Sequence, residues 1–178
     1  MDVEKIINKY YPTDNALRNI LMTHSRCVAE RALQIADLHP ELSVDRQFVY
    51  EACMLHDIGI FRCNAPGIEC YGTEPYICHG SIGSALLEAE GFHRHALVCE
   101  RHTGAGISLE SIIERNLPIP HRDMLPVSIE EQLVCFADKF YSKSHLERTK
   151  SVEQAEASLA KFGADGVERF RKWCRMFL

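Results

Sequence analysis

The hexapeptide Met-Leu-His-Asp-Ile-Gly at residues 54–59 constrains the fold of this chain more than any other stretch. It follows apolar residues at helical spacing, so it places a histidine and a carboxylate at the end of a helix packed in the interior. A buried aspartate is costly unless a positive group meets it. The pair His56 and Asp57 therefore predicts a positive partner, and a metal ion is the obvious one. Because such a dipeptide also arises by chance, the prediction requires further ligands elsewhere in the chain.

The length and charge of the chain limit the classes of protein it can belong to. Its 178 residues, 46% hydrophobic and 25% charged, suffice for one domain, so we expect a single domain over residues 1–178. A net charge of −5 disfavours binding to a nucleic-acid duplex or an anionic membrane. The charged start does not resemble a signal peptide and no apolar run could span a bilayer, so we expect a cytoplasmic location.

The eight cysteines contain no C-x-x-C pair, and most of them fall within helical patterns. Reduced thiols in a cytosolic core are the simplest interpretation. A zinc site built from Cys63, Cys70 and Cys78 is disfavoured, because their spacing matches no common zinc motif.

Apolar residues recur at helical spacing along most of the chain, without the alternation of strands and without an internal repeat. The pattern predicts a long helix from an N-cap at Thr13 to about Leu38, and a second from an N-cap at Ser43 to His56. The stretch 61–77 has several glycines and prolines and no periodicity, which predicts a lid or binding loop. We therefore predict an all-α, single-domain helical bundle.

Two further helices are predicted within residues 151–177 by start signals at Ser151 and Asp165. On the last helix, Phe170, Trp173 and Phe177 recur at helical spacing. We interpret this apolar face as packing onto the domain, with a homodimer contact as the alternative.

Six metal-capable side chains lie in apolar helical contexts or at helix ends: His24, His56, Asp57, His79, His102 and Asp138. A lone histidine such as His24 is usually a core residue with satisfied ring nitrogens. Asp138 is either turned outward or a second buried carboxylate. Both interpretations change if the six converge, because histidine and aspartate bind divalent transition metals. His93 and His95 lie on a charged stretch and are expected at the surface.

The order of these residues resembles the pattern of the HD-domain superfamily, which has a histidine on an early helix, an adjacent His-Asp pair and an aspartate on a late helix. Here these are His24, the pair at 56–57, and Asp138. The following Ile58 and Gly59 make the chain similar to the His-Asp-Ile-Gly subgroup. The resemblance covers about residues 19–141 and implies an HD-type bundle with a metal site in its core.

The two intervening histidines match the variant of this superfamily that holds two metal ions. That variant is similar to the symmetrical diadenosine-tetraphosphate hydrolases and to the cyclic-dinucleotide phosphodiesterases. The chain lacks the Gly-Tyr-Pro signature and the further adjacent histidine of the latter, which disfavours cyclic dinucleotides. The resemblance assigns one ion to His24, His56, Asp57 and Asp138, and a second to His79, His102 and the shared Asp57. Iron is favoured, then manganese, with nickel, cobalt, zinc and magnesium open.

The resemblance implies a metal-dependent phosphohydrolase, a phosphomonoesterase or phosphodiesterase acting on a nucleotide or another small phosphate ester. Two divalent ions and two aspartates leave a charge of about +2, which matches a phosphate and a metal-bridging hydroxide. Asp57 would orient this hydroxide, and Lys139 and Lys143 would assist catalysis. These two lysines, with Arg62 and Arg101, are the cations close enough in sequence to bind phosphate, although each could be a solvated surface charge.

Two other functions stay open from the sequence. Some members of the superfamily use the same six ligands to hold two irons and activate oxygen. A catalytically idle metal-binding or sensor module is the third hypothesis. The complete ligand set disfavours the idle module, but it does not separate hydrolysis from oxygenation.

Overall fold

The computed structural model describes all residues 1–178 and consists almost entirely of helices. The helices are α1 (Val3–Tyr10), α2 (Ala16–Leu38), α3 (Arg46–Leu55), α4 (His79–Ala89), α5 (His93–Arg101), α6 (Leu109–Glu114), α7 (Ile129–Asp138), α8 (Val152–Ala160) and α9 (Ala164–Phe177). The only strands, β1 (Asn64–Ala65) and β2 (Cys70–Tyr71), form a short antiparallel pair. The predicted all-α class is therefore confirmed. None of the helices combines the length and the apolarity needed to cross a membrane.

The packing brings the ends of several helices together around α2. This long helix contacts both α3 and α7, while α3 also contacts α5 and α7, and α4 packs along α5. The buried faces form one main apolar core that includes Leu21, Val28, Leu55 and Phe136. The last residues of α3, α5 and α7 consequently lie near the middle of α2.

Two helices begin at other residues than the sequence predicted. The N-cap of α2 is Asn15, whose side chain accepts a hydrogen bond from the backbone N–H of Arg18 at 2.9 Å, and not Thr13. The N-cap of α3 is Asp45, whereas Ser43 has a left-handed backbone with φ of 50°. Each region offers more than one residue able to cap, so composition alone does not select the cap.

The predicted loop at residues 61–77 is folded into turns and the small β1–β2 pair. Its backbone is held by hydrogen bonds such as those from Asn64 N–H to the Glu74 carbonyl at 2.8 Å and from Gly72 N–H to the Cys63 carbonyl at 2.9 Å. Cys63 and Cys70 are buried, and all eight cysteines are free thiols.

The apolar face of α9 is filled within the chain. The rings of Phe170 and Phe177 lie 5.4 and 5.3 Å from that of Phe136 on α7, and Trp173 Nε1 donates to Gln132 Oε1 at 3.0 Å. This apolar face is therefore covered by α7 within the chain.

His95 does not lie freely at the surface as predicted. Its Nε2 lies 3.0 Å from Glu51 Oε2 and its ring packs on Phe48, with centroids 4.7 Å apart. His93 is exposed, as predicted. The prediction was wrong for His95 because residues on α3 cover this position of α5.

Gly59 is required by a close approach between segments and not by a sharp turn. Its φ of −84° is accessible to any residue. A Cβ atom at this position, however, would lie 2.3 Å from the His79 carbonyl oxygen and 2.5 Å from the Gly83 nitrogen. The absence of a side chain at Gly59 therefore lets the first turn of α4 pack against the segment that follows His56 and Asp57.

We predict that Gly59→Ala destabilises the protein, because α4 must move away from the new methyl group. The expected loss in unfolding free energy is about 1–3 kcal/mol, or about 3–10 °C in melting temperature. Thermal unfolding followed by circular dichroism measures this loss. Gly67→Ala is the matched control, since a Cβ there meets nothing within 4 Å. Equal melting temperatures for the two variants would contradict the role of the close approach.

Candidate metal centre

The six predicted ligands are brought into one buried cluster. His24 lies in the middle of α2, and the other five lie at or beside helix ends: His56 and Asp57 follow α3, His79 begins α4, His102 follows α5, and Asp138 ends α7. None of the six is more than 8% exposed. Helix ends suit this role because their side chains can converge on a point without a helix crossing it.

Asp57 lies at the centre of the cluster, and its two oxygens face different histidines. Oδ2 is 2.9 Å from His56 Nε2 and 3.2 Å from His24 Nε2. Oδ1 is 3.5 Å from His79 Nε2 and 3.4 Å from His102 Nε2. A single carboxylate therefore connects two pairs of imidazoles.

Asp138 completes the group on one side of Asp57. Its Oδ1 lies 3.0 Å from His24 Nε2 and 3.5 Å from His56 Nε2. The cluster thus consists of two groups, within each of which the donor atoms lie within 4.8 Å of one another: His24, His56, Asp57 and Asp138 form one, and Asp57, His79 and His102 form the other.

Three of the histidines are oriented in the same way by their own chain segment. The Nδ1 atom of each lies within hydrogen-bond distance of the backbone carbonyl three residues earlier: 2.6 Å for His56, 2.6 Å for His79 and 2.8 Å for His102. A carbonyl only accepts hydrogen bonds, so Nδ1 carries the proton. In the neutral ring, Nε2 then presents its lone pair to the cluster, as in metal-ligating histidines generally.

The unsatisfied polar atoms and the spacing of this cluster fit a metal ion. Although the contacts are short, both Asp57 oxygens and the Nε2 atoms of His24 and His56 lack a partner with hydrogen-bond geometry. The Nε2 atoms of His79 and His102 lie 3.1 Å apart, where two lone pairs would repel each other without a cation. Ligand bonds of about 2.1 Å at right or tetrahedral angles separate donor atoms by about 3.0–3.4 Å. The imidazole and carboxylate donors suit a divalent transition metal.

Both carboxylates in the cluster are ionised. Burial alone would raise the pKa of each, but neighbouring positive groups outweigh it. His56 and Lys143 hold the pKa of Asp57 well below its usual range. The ammonium group of Lys139 does the same for the pKa of Asp138.

The histidines differ in charge in the metal-free protein. Burial opposes the charged form of His56, but Asp57 and Asp138 outweigh it and raise its pKa to about 9. Burial dominates at the other side of Asp57, where it lowers the pKa of His79 to about 3 and also lowers that of His102. His79 and His102 are therefore neutral donors, whereas His56 must release a proton before its Nε2 can bind an ion.

Two lysines contact the aspartates of the cluster. Lys143 Nζ lies 2.5 Å from Asp57 Oδ2, and Lys139 Nζ lies 2.8 Å from Asp138 Oδ2. Both lysines and Asp138 line a pocket of about 460 Å³, which we call the lysine pocket. Its wall carries one aspartate and three lysines, so the pocket joins the buried cluster to a positively charged space.

The two arginines predicted to bind phosphate are not among the residues that line the lysine pocket. Arg62 is exposed, and Arg101 Nη1 donates to Glu131 Oε2 at 2.9 Å. Nearness in sequence to His56 and His102 therefore does not bring these side chains to the wall of the pocket. We therefore leave both out of the proposed site.

The structure adds two residues that sequence reasoning missed. The Tyr76 ring stacks on His79, with centroids 4.6 Å apart, and it lines the lysine pocket. Lys150 is half-buried in the same pocket, and no carboxylate forms an ion pair with it. The position of Tyr76, three residues before His79, is the signal that could have pointed to it, because its carbonyl orients the His79 ring. Lys150 carries no such signal, because it follows a non-helical segment.

An all-helical bundle with a buried cluster of histidines and aspartates defines a class of metal-binding helical proteins. Within that class, the family model described as the HD domain matches residues 21–142. The chain therefore belongs to the HD domain family, whose members are generally metal-dependent phosphohydrolases. The match ends before α8 and α9.

Several archaeal proteins are similar in sequence. An uncharacterized protein of Methanocaldococcus jannaschii is 34% identical over 145 residues, which cover 79% of this chain and 78% of that protein. Two tRNA (cytidine(56)-2'-O)-methyltransferases, from Picrophilus torridus and Thermoplasma volcanium, are each 30% identical over 75% and 85% of this chain. The matches span only 35% and 40% of those two enzymes. No solved structure matches significantly.

We predict that Mn²⁺ or Fe²⁺ stabilises the protein against heat, because an ion that binds only the folded cluster shifts the unfolding equilibrium. At a free concentration one hundred times the Kd, the gain is about 2.7 kcal/mol, or about 5–10 °C in melting temperature. Differential scanning fluorimetry with and without the metal measures this shift. His24→Ala should reduce the shift, because it removes a ligand from one of the two donor groups, while His93→Ala, at an exposed position, should retain it in full. An equal shift in both variants would place the metal elsewhere.

Proposed function

We propose that this protein is a phosphohydrolase that uses two divalent transition-metal ions to release phosphate from a nucleotide or another small phosphate ester. The observation that carries this proposal is the sharing of Asp57 between two donor groups beside a pocket lined by three lysines. A bridging carboxylate suits a pair of ions, and the lysines suit an anionic substrate.

The charges support a phosphorylated substrate. Two divalent ions would contribute four positive charges and the two aspartates remove two, which leaves about +2. Lys139, Lys143 and Lys150 add to this potential along the pocket wall. When bound, the ions would supply a hydroxide nucleophile at neutral pH and neutralise the phosphoryl oxygens.

The residues of the chain have separate roles in this proposal. The four histidines and two aspartates hold the ions, and Asp57 also orients the nucleophile. With Asp57 and Asp138 engaged as metal ligands, the ammonium groups of Lys139 and Lys143 would be free to bind phosphate oxygens. Tyr76 covers one face of His79 and keeps water from that ring. Lys150 binds phosphate farther from the ions.

The relatives favour a nucleotide over other phosphate esters. Two of them are enzymes that modify a ribose hydroxyl of a tRNA nucleotide. We do not propose methyl transfer for this chain, because it corresponds to less than half of either enzyme. The support that these relatives give for a nucleotide substrate is limited to their names, which refer to a tRNA nucleotide.

We predict that the Mn²⁺- or Fe²⁺-loaded protein releases inorganic phosphate from members of a nucleotide panel. Asp57→Asn keeps the shape of the side chain but removes its charge, and it should lower the rate by about 10³-fold or more. Phosphate is measured by a colorimetric assay, with circular dichroism as a check on folding. Lys172→Ala, an exposed change on α9, is the control that should retain full activity.

Metal content and oxygen uptake on the same preparations separate the other hypotheses. The proposal expects two ions in each chain and a lower content in His79→Ala. Oxygen consumption with a phosphonate or a polyol, without phosphate release, would indicate the oxygenase. Full metal loading with neither reaction would indicate an idle binding module.

Lys150→Ala tests the phosphate role of the lysine that has no carboxylate partner. We predict that it raises the KM for the phosphorylated substrate about tenfold and leaves kcat nearly unchanged, because it removes a charge-assisted contact made in both the ground and transition states. Steady-state kinetics measure both constants. A fall in kcat without a change in KM would assign Lys150 to the chemical step.

A further inference from the structure

A second pocket adjoins the lysine pocket on the side away from β1 and β2. It has a volume of about 320 Å³ and lies between the segment 103–115 and the α8–α9 region at residues 159–169. Gly104, Leu159 and Phe162 line both pockets, so the two adjoin at these residues. We call this second space the α6–α9 pocket.

The α6–α9 pocket has the opposite charge character to the lysine pocket. Its charged residues are Glu110, Glu114, Asp165, Arg115 and Arg169, with a net charge of −1. Arg169 is engaged with the chain, because its Nε and Nη2 donate to the carbonyls of Ala105 and Gly106 at 2.8 and 3.1 Å. An anionic group is thus disfavoured here, whereas hydroxyl and amino groups can donate to the carboxylates.

The apolar part of this pocket offers a surface for a planar ring. Ile77, Ile107 and Leu159 contribute aliphatic side chains, and Phe162 is 62% exposed at the boundary between the two pockets. The guanidinium carbon of Arg115 lies 5.4 Å from the centroid of the Phe162 ring. Aromatic rings and arginine guanidinium planes are the groups on which nucleic-acid bases stack in proteins.

We propose that the α6–α9 pocket binds the nucleoside part of the substrate, with the base against Phe162 and Arg115. This inference rests on the proposed function and adds the residues that would hold the base and ribose of a nucleotide substrate. The charges of the two adjoining pockets match such a molecule, whose phosphate is anionic and whose base and ribose are neutral and rich in donors. The volume of the pocket lies within the range of small-ligand sites, about 300–1,000 Å³.

The first test compares nucleoside monophosphates with ribose 5-phosphate, which has the same phosphate and sugar but no base. The metal-loaded protein should have a higher kcat/KM for at least one nucleotide. Phe162→Ala should lower that value about tenfold and change the value for ribose 5-phosphate by less than about twofold. Ile113→Ala, an exposed apolar change on α6 outside the pocket, should affect neither substrate.

The second test measures binding without metal or hydrolysis. Adenosine, guanosine, cytidine and uridine are added to the metal-free protein, and contact is detected by saturation-transfer difference NMR. The proposal expects a signal for at least one nucleoside that is lost in Phe162→Ala and kept in Ile113→Ala. No signal, or one that is unaffected by Phe162→Ala, would overturn it.

The two tests separate this inference from the function on which it rests. Binding that depends on Phe162, without phosphate release from any compound, would support the pocket and refute the phosphohydrolase. Phosphate release without nucleoside binding, at equal rates from nucleotides and ribose 5-phosphate, would support the phosphohydrolase and refute the nucleoside pocket.

Discussion

The buried carboxylate of Asp57 is the group on which the rest of the centre depends. An ion in the protein interior costs several kcal/mol unless surrounding charges and hydrogen bonds compensate it. Here one oxygen faces His24 and His56, the other faces His79 and His102, and the second of these pairs meets no other carboxylate within the cluster. Segments that are distant in sequence therefore place their histidines around this one carboxylate. The helices must pack in this arrangement for the charge of Asp57 to be compensated.

The lysines give the cluster internal counterions. Lys143 pairs with Asp57 and Lys139 with Asp138, so neither aspartate is an isolated charge in the absence of metal. The same ammonium groups line the space that a substrate must occupy. Positive charge is thus concentrated next to the cluster, while the adjoining α6–α9 pocket is slightly negative. The two adjoining pockets therefore differ in the sign of their charge, which would favour one orientation of a molecule that has an anionic end and a neutral end.

The sequence predicted the fold class because buried helical faces leave periodic signals, whereas the grouping of the six metal-capable side chains rested on the resemblance to the HD-domain superfamily. Polar side chains at apolar helical positions, such as His24 and Asp138, stand out wherever they are buried. Helix caps were harder to assign, because neighbouring polar residues compete for the same role. The close approach of α4 to Gly59 could not be predicted, since it is a tertiary contact that local sequence does not contain.

The walls of the cleft could not be predicted from the sequence. Lys150 and Phe162 reach it from segments that follow the last metal-binding helix, and neither belongs to a periodic pattern that points to a site. Arg62 and Arg101 show the converse, because they are close in sequence to ligand histidines but lie outside the lysine pocket. Adjacency along the chain predicts side-chain direction only within a regular element, and these residues lie at or beyond helix ends.

The hydrogen bonds from His56, His79 and His102 to carbonyls three residues earlier have a consequence for how such a centre can vary. The orientation of each imidazole is fixed by a hydrogen bond within four consecutive residues and requires no bond to a distant residue. The connections between these short units can then change in length or composition without turning the rings. A cluster whose histidines are oriented locally can therefore keep its geometry while the surrounding loops, and with them the shape of the adjoining pockets, diverge.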